Sequence, residues 1–293
     1  MPVRRIQRSD LDPVVGLVHQ LGRYEKAAPG RFRAPGPGVG PVVASGVVFT
    51  PQERARLREA LISAAHADTH ITAAAVTGSA AAGREDRWSD IDLAFGVDPD
   101  ANLDQVLAGW TGRMYREHAA VDHVDVARGV TLYRVFLLAN SMQVDLAFWP
   151  AGEFGAIAPS FQLVFGTAND RPATPAPTAG ALIGMGWLHA LHARSSIARG
   201  RVWQAEYMIS AVRDHVLALA CLRHGVSAVQ GRGMDDLPPE ITQTLTGAIV
   251  RALDVPELRR AFGVITEALL VEVDRVDPGL AKRLAGTLRE LAR

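Results

Sequence analysis

Two apolar runs of the chain carry acids where an ordinary strand would carry a hydrophobe. The first reads Asp90-Ile91-Asp92-Leu93-Ala94-Phe95-Gly96-Val97, and the second reads Met142-Gln143-Val144-Asp145-Leu146-Ala147-Phe148-Trp149. Acids at alternate positions of a strand point to the same side, so Asp90 and Asp92 repel each other. Asp145 sits between Val144 and Leu146, where an unpartnered carboxylate is costly to bury. If the two strands are neighbours, three carboxylates converge. Hard divalent cations, which take oxygen ligands, are then the natural neutraliser. Two such cations suit an in-line phosphoryl displacement.

The segment before the acid pair points the same way. A short strand, Ile71–Val76, runs into Thr77-Gly78-Ser79 and then a small polar loop that leads back to Asp90. A strand that ends in Gly-Ser presents backbone N–H groups and a hydroxyl to the next element, an arrangement that binds phosphate oxygens. A phosphate cradle beside a set of carboxylates implies nucleotide chemistry.

Composition narrows the partners. The 293 residues carry 31 basic and 31 acidic side chains, and that neutrality argues against nucleic acid as partner. Lys26 and Lys282 are the only lysines, so a cationic contact to phosphate is expected from an arginine. Cys221 is the only cysteine and lies in the apolar run Val216-Leu217-Ala218-Leu219-Ala220-Cys221-Leu222. It reads as a buried small hydrophobe, with no disulfide and no thiolate metal cluster. The N-terminus lacks an apolar signal core and no run is long enough to span a bilayer. The expectation is a soluble cytoplasmic protein with no membrane partner.

Patterning divides the chain into four stretches. Residues 1–49 are a poorly patterned leader, with a short helix conceivable over 11–26 and a Pro/Gly-rich loop after it. Residues 50–165 open on a capped helix, Thr50-Pro51 with Glu53 in its first turn. Five strand-like runs and a helix over 101–118 follow, as expected for a mixed sheet. Residues 166–180, with three prolines, read as a linker. Residues 181–293 are helical throughout, with runs to Gly200, over Val202–His224, and over roughly 239–253, 256–275 and 277–291.

Gly78-Ser79, a ten-residue gap, Asp90-Ile91-Asp92 and the later strand acid Asp145 resemble the DNA polymerase beta-type nucleotidyltransferase superfamily, over roughly residues 50–150. The resemblance implies an α+β fold: an N-terminal mixed β-sheet with flanking helices, followed here by a C-terminal α-helical bundle. It further implies that Asp90 and Asp92 hold two Mg2+ ions, that Asp145 holds the catalytic one, and that Gly78 and Ser79 contact a nucleoside triphosphate. Ser89, beside the acid pair, joins them as a nucleotide-binding candidate. An α/β half followed by a helical bundle looks like the antibiotic-modifying members, the kanamycin and lincosamide types. That suggests AMP transfer from ATP to a small hydroxylated acceptor, an aminoglycoside or lincosamide. Two alternatives stay open: a protein AMP-transferase of the minimal type, and a catalytically silent nucleotide-binding regulator. Oligomeric state is left open too.

The bundle supplies two further candidates. On a helical wheel of 202–224, Val202, Ala205, Ile209, Val212, Val216, Leu219 and Ala220 form one apolar arc, and Glu206 and Arg213 fall inside it. They are two turns apart, about 10 Å, so each is expected to need its own partner from another element. Glu206 is then either a structural ion-pair member or a general base on the acceptor hydroxyl, and Arg213 either its structural counterpart or a triphosphate contact. The remaining groups read mainly as structural. His66, His70, His189 and His192 are solvated or packed, and Asp122 and Asp125 are too oddly spaced to share a strand face. Arg84, Arg87 and Trp88 divide evenly between a solvated loop and a role near the phosphates.

Overall fold

A computed structural model describes residues 48–156, 160–170 and 176–293. The leader reading for 1–47 therefore lies outside the described residues. The described chain divides between residues 170 and 176 into two compact units: an α+β unit and a helical one.

The first unit opens on α1, Pro51–Ala67, which starts where the sequence says it should. Thr50 and Glu53 form a capping box: the Thr50 hydroxyl accepts from the Glu53 N–H, and the Glu53 carboxylate accepts from the Thr50 N–H. Two of the helix's orphan donors are thereby satisfied. After α1 come β1 (Ile71–Thr77), the four-residue α2 (Gly78–Ala81), β2 (Ile91–Val97), α3 (Leu103–Glu117), β3 (Ala120–Arg128), β4 (Thr131–Leu138) and β5 (Gln143–Pro150). Short strands β6 (Gly155–Ala156) and β8 (Asn169–Asp170) pair with each other, and β7 (Phe161–Phe165) adds an edge strand that the sequence reading did not foresee.

The main sheet has the order β3-β4-β5-β2-β1-β7. Every neighbouring pair is antiparallel except β2 and β5. That parallel pair needs a long crossover, and α3 with the β3–β4 hairpin supplies it. Period-two alternation then sorts the side chains. Ile91, Leu93, Phe95 and Val97 of β2, with Val144, Leu146 and Phe148 of β5, enter the main core. Helices α1 and α3 cover this face with Leu61, Ala65, Trp110 and Met114. Trp110 packs its ring 4.7 Å from that of Phe95 and donates its indole N–H to Asp68. The opposite parity places Asp92 and Ala94 on β2, and Asp145, Ala147 and Trp149 on β5, on the other face. There Ala73, Ala75, Ala94 and Ala147 pack with Trp149 and Phe154 in a second cluster.

The second unit consists of α4 (Ala179–Ala198), α5 (Val202–His224), α6 (Pro239–Thr246), α7 (Val255–Val276) and α8 (Pro278–Leu291). Its core comes from the arc read on α5, joined by Leu182, Ile183 and Ala193 of α4 and by Leu258, Phe262, Ile265 and Leu269 of α7. Cys221 is buried. α6 stops a full two turns short of the expected end. Arg260, itself fixed by Glu257, donates to the carbonyls of Gly247 and Ile249, so the chain there is held open by side-chain donors instead of continuing its helical ladder. Among the described residues no helix is long and apolar enough to cross a membrane.

Inside this unit, His189 of α4 and His215 of α5 stack with their rings 11° from parallel, and the two imidazoles share a hydrogen bond of 3.1 Å. Burial, helped by the neighbouring His189, pushes His215 down to about 4. A base with a depressed folded-state pKa loses stability as pH falls, because the unfolded chain takes a proton that the folded chain refuses. The helical unit is therefore expected to weaken between about pH 6.5 and pH 4, by roughly 1.4 kcal/mol per pH unit at most. Denaturant titrations of wild type and His215→Phe across that window check this; the variant's slope should be visibly shallower.

Candidate metal centre

The parallel register of β2 and β5 sets Asp92 directly opposite Asp145. Registered residues of neighbouring strands point to the same face about 5 Å apart. Asp90 lies two residues before Asp92 and joins that face, one residue ahead of the strand. One carboxylate oxygen from each of Asp90, Asp92 and Asp145 lies within 4.8 Å of the others. Oxygens around one small divalent cation stand about 3 to 4 Å apart, given metal–oxygen bonds near 2.1 Å. The all-oxygen donor set fits such an ion, and a spacing of at most 4.8 Å needs only a small inward movement of the side chains to close around one.

Gly78 makes room for this cluster. Its φ is +65°, a conformation open to glycine without penalty. A Cβ there would lie 1.8 Å from Asp92 Oδ2. The glycine of the Gly-Ser pair is thus required first by the Asp92 carboxylate, a reason that spacing in the sequence does not reveal. Ser79 follows it on α2, and its carbonyl accepts from the Arg84 N–H at 2.9 Å.

The three acids differ in surroundings. Asp145 is pushed up to about 6, chiefly by burial and further by the Asp90 charge, while the Gln143 hydrogen bond and Arg128 oppose the rise. Gln143, two residues before Asp145 on the same face, donates its amide to Asp145 Oδ1 at 2.9 Å and to Asp90 Oδ2 at 3.4 Å. A neutral N–H donor thus stands between two carboxylates and partly offsets their repulsion. Farther along the hairpin, the Arg128 guanidinium lies over the Tyr133 ring at 5.5 Å.

The loop between α2 and β2 is internally hydrogen-bonded. Asp86 accepts from the Trp88 N–H and from the Ser89 hydroxyl, and its own N–H donates to Ser89 Oγ. The Ser89 hydroxyl, read from sequence as a nucleotide contact, is engaged inside this loop. Trp88 is 64% exposed with Arg87 stacked on it at 4.4 Å. Asp125 turns to the helical face and pairs with Arg134, while Asp122 belongs to the opposite parity, as the odd spacing required.

Glu206 and Arg213 belong to the helical unit, both half-buried on α5. Glu206 accepts the Ser210 hydroxyl at 2.6 Å, and Arg213 pairs with Asp214 at 3.0 Å. The expectation that each needs a partner from another element is corrected by this: both find one on their own helix. Both are half-buried, unlike the buried Ala205, Ile209, Val212 and Val216 of the arc.

One contributor escaped the sequence reading altogether. Arg54 of α1 is only 4% exposed, and it binds the motif loop from beneath. Its signal was present: Arg54, Leu57 and Leu61 fall on one helical stripe, so a guanidinium stands among the core-facing positions.

No protein-family model matches the chain, and no curated protein matches it. Among solved structures, the chain is similar to an aminoglycoside 6-adenyltransferase from Bacillus subtilis, at 13% identity and a TM-score of 0.37, over 83% of this chain and 99% of that one. It is also similar to a chain of the GLD-2/RNP-8 complex, at 17% identity and a TM-score of 0.26, over 76% of each. Likenesses this distant decide nothing about chemistry. The functional reading rests on the acids, the glycine and the strand register.

Proposed function

We propose that the chain is a metal-dependent nucleotidyltransferase that moves AMP from ATP to a hydroxyl of a small molecule, with an aminoglycoside or lincosamide as the leading acceptor classes. The observation that carries this reading is the convergence of Asp90, Asp92 and Asp145 on one face of two parallel, in-register strands. Beside it stands the Gly78-Ser79 turn, whose glycine abuts Asp92.

In this reading Asp90, Asp92 and Asp145 hold two Mg2+ ions. Bound divalent cations there supply charge neutralisation of the polyphosphate and Lewis-acid activation of the acceptor oxygen. The acceptor oxygen forms a bond to the α-phosphorus of ATP, the bond from that phosphorus to its bridging oxygen breaks, and pyrophosphate leaves. Gly78 and Ser79 hold the triphosphate by backbone N–H groups and hydroxyl, and Ser89 and Arg213 are kept as further nucleotide contacts. Glu206 is proposed as the group that takes the hydroxyl proton.

The test is pyrophosphate release from Mg-ATP with a panel of aminoglycosides, lincosamides and simple polyols. The expected result is acceptor-dependent release that Asp90→Asn lacks. Glu206→Gln should lose transfer while keeping ATP binding and its melting temperature; unchanged turnover would remove the base assignment alone. Silence of the wild-type protein with every acceptor, while Mg-ATP still binds, would overturn the small-molecule reading and favour a protein acceptor or a regulatory role.

A further inference from the structure

Asp90 is the one member of the acid cluster that precedes its strand, so the β2 ladder does not by itself fix where its carboxylate stands. Something must hold the peptide that leads into it. The motif loop covers residues 82–90 and carries Gly83 with a φ of +64°. A loop that ends on a repelled carboxylate gains by moving away from Asp92 and Asp145.

Arg54 opposes that movement. Its Nη1 donates to the carbonyl of Asp86 at 2.6 Å and to the carbonyl of Ser89 at 3.0 Å. The Ser89 carbonyl belongs to the peptide bond that joins Ser89 to Asp90. The Arg54 Nε lies 3.0 Å from Glu85 Oε1, and Arg58 pairs with the same oxygen at 2.6 Å. One buried guanidinium, set on a capped helix, therefore grips the loop at three successive points: Glu85, Asp86 and Ser89. A buried cation at 4% exposure is expensive unless it is paired and hydrogen-bonded; here Nη1 donates twice to the loop, and Nε faces Glu85 as an ion pair without a hydrogen bond. The arrangement fixes Asp90 from both sides, by the guanidinium before it and by the β2 ladder after it.

We infer that Arg54 is a positioning residue of the metal centre, acting through the Ser89–Asp90 peptide to hold the Asp90 carboxylate against Asp92 and Asp145. The inference rests on the reading of those acids as metal ligands. A lysine at this position keeps the charge and most of the stem but lacks the planar fork that reaches two carbonyls and a carboxylate together.

The experiment is Mn2+ binding to the full chain, followed by the loss of the free-ion electron paramagnetic resonance signal, with melting temperatures recorded alongside. The variants are Arg54→Lys, Arg54→Met and Asp90→Asn. The expected result is Mn2+ affinity about 10- to 100-fold weaker in Arg54→Lys, with the melting temperature nearly that of wild type and a larger loss in Arg54→Met. Turnover of Arg54→Lys should recover at raised Mn2+, and that of Asp90→Asn should not. If Arg54→Met does not fold, Arg54→Lys decides. Wild-type binding that Asp90→Asn abolishes and both Arg54 variants retain would overturn the inference and leave the metal centre standing. Wild-type protein that holds no Mn2+ would remove the metal centre and the inference together.

Discussion

Asp145→Asn is expected to abolish nucleotidyl transfer and, at neutral pH and without metal, to make the protein more stable. Asp145 is half of the registered pair with Asp92, and its carboxyl is raised to about 6. With Asp145 holding the ion as proposed, its loss should weaken metal binding by more than the roughly 100-fold that loss of a supporting outer residue can cost, and turnover should fall with it. The gain in stability follows from its pKa. Burial and the Asp90 charge raise the carboxyl from its ordinary 3.8 to about 6. A raised acid costs the folded state stability above that pH, and the cost is withdrawn as pH falls towards 4. The upper bound is about 3 kcal/mol, from 1.36 kcal/mol per pKa unit. Asparagine keeps the size and an acceptor for the Gln143 amide but carries no charge.

Calorimetry of chelator-treated protein checks this. Asp145→Asn should melt several degrees above wild type at pH 8, and the gap should close by about pH 4.5. Saturating Mg2+ should reverse the order, because only wild type gains from the ion. A variant that melts below wild type at every pH without metal would show that Asp145 contributes structure and not repulsion.

The second large effect is expected from the smallest change. Gly78→Ala places a methyl carbon where Asp92 Oδ2 stands, 1.8 Å away, at a φ of +65° that an L side chain adopts only with strain. The methyl cannot stay there unless the carboxylate or the turn moves. Either movement takes the Asp92 carboxylate out of its place beside Asp90 and Asp145. Misplacing a reacting group by about 1 Å can cost about 100-fold in rate, and this displacement is larger, so transfer should fall by at least that factor and Mn2+ affinity with it. Stability should fall by only about 1 to 2 kcal/mol, the cost of the left-handed conformation, since the core beneath is untouched. The neighbouring Gly83→Ala is the control. It shares the positive φ but has nothing within 4 Å of its Cβ, so it should show a similar stability loss and near-normal metal affinity. Equal functional losses in the two variants would place the cause in backbone strain and not in the Asp92 contact.

Much of this architecture was legible in residue order. The runs Asp90–Val97 and Met142–Pro150 read as strands, with Asp90 and Asp92 on one face of the first. The Thr50–Glu53 box marked the start of α1, and the apolar arc of 202–224 named the buried side of α5. Local covalent geometry suffices for such readings, because strand and helix periods are properties of the backbone itself. The α6 end was misjudged for a different reason. Its stop depends on Arg260, a residue of the next helix, whose donors take the carbonyls after Gly247. Likewise Glu206 and Arg213 fell on the apolar arc by angle, yet each is satisfied by a neighbour on α5, which a wheel does not register.

The sequence by itself determined that three strand acids, a Gly-Ser turn and a helical second half occur in this order, and which of the acids share a strand face. Only the tertiary structure decided that β2 and β5 are parallel neighbours in register. Asp92 and Asp145 are 53 residues apart in the chain, and strand pairing at that separation is chosen by core packing and the crossover path, not by local propensity. It also decided what Gly78 and Arg54 do. The glycine is required by a carboxylate on another strand, and the arginine by carbonyls of a loop 32 and 35 residues away. Contacts of that kind exist only once the chain has closed on itself.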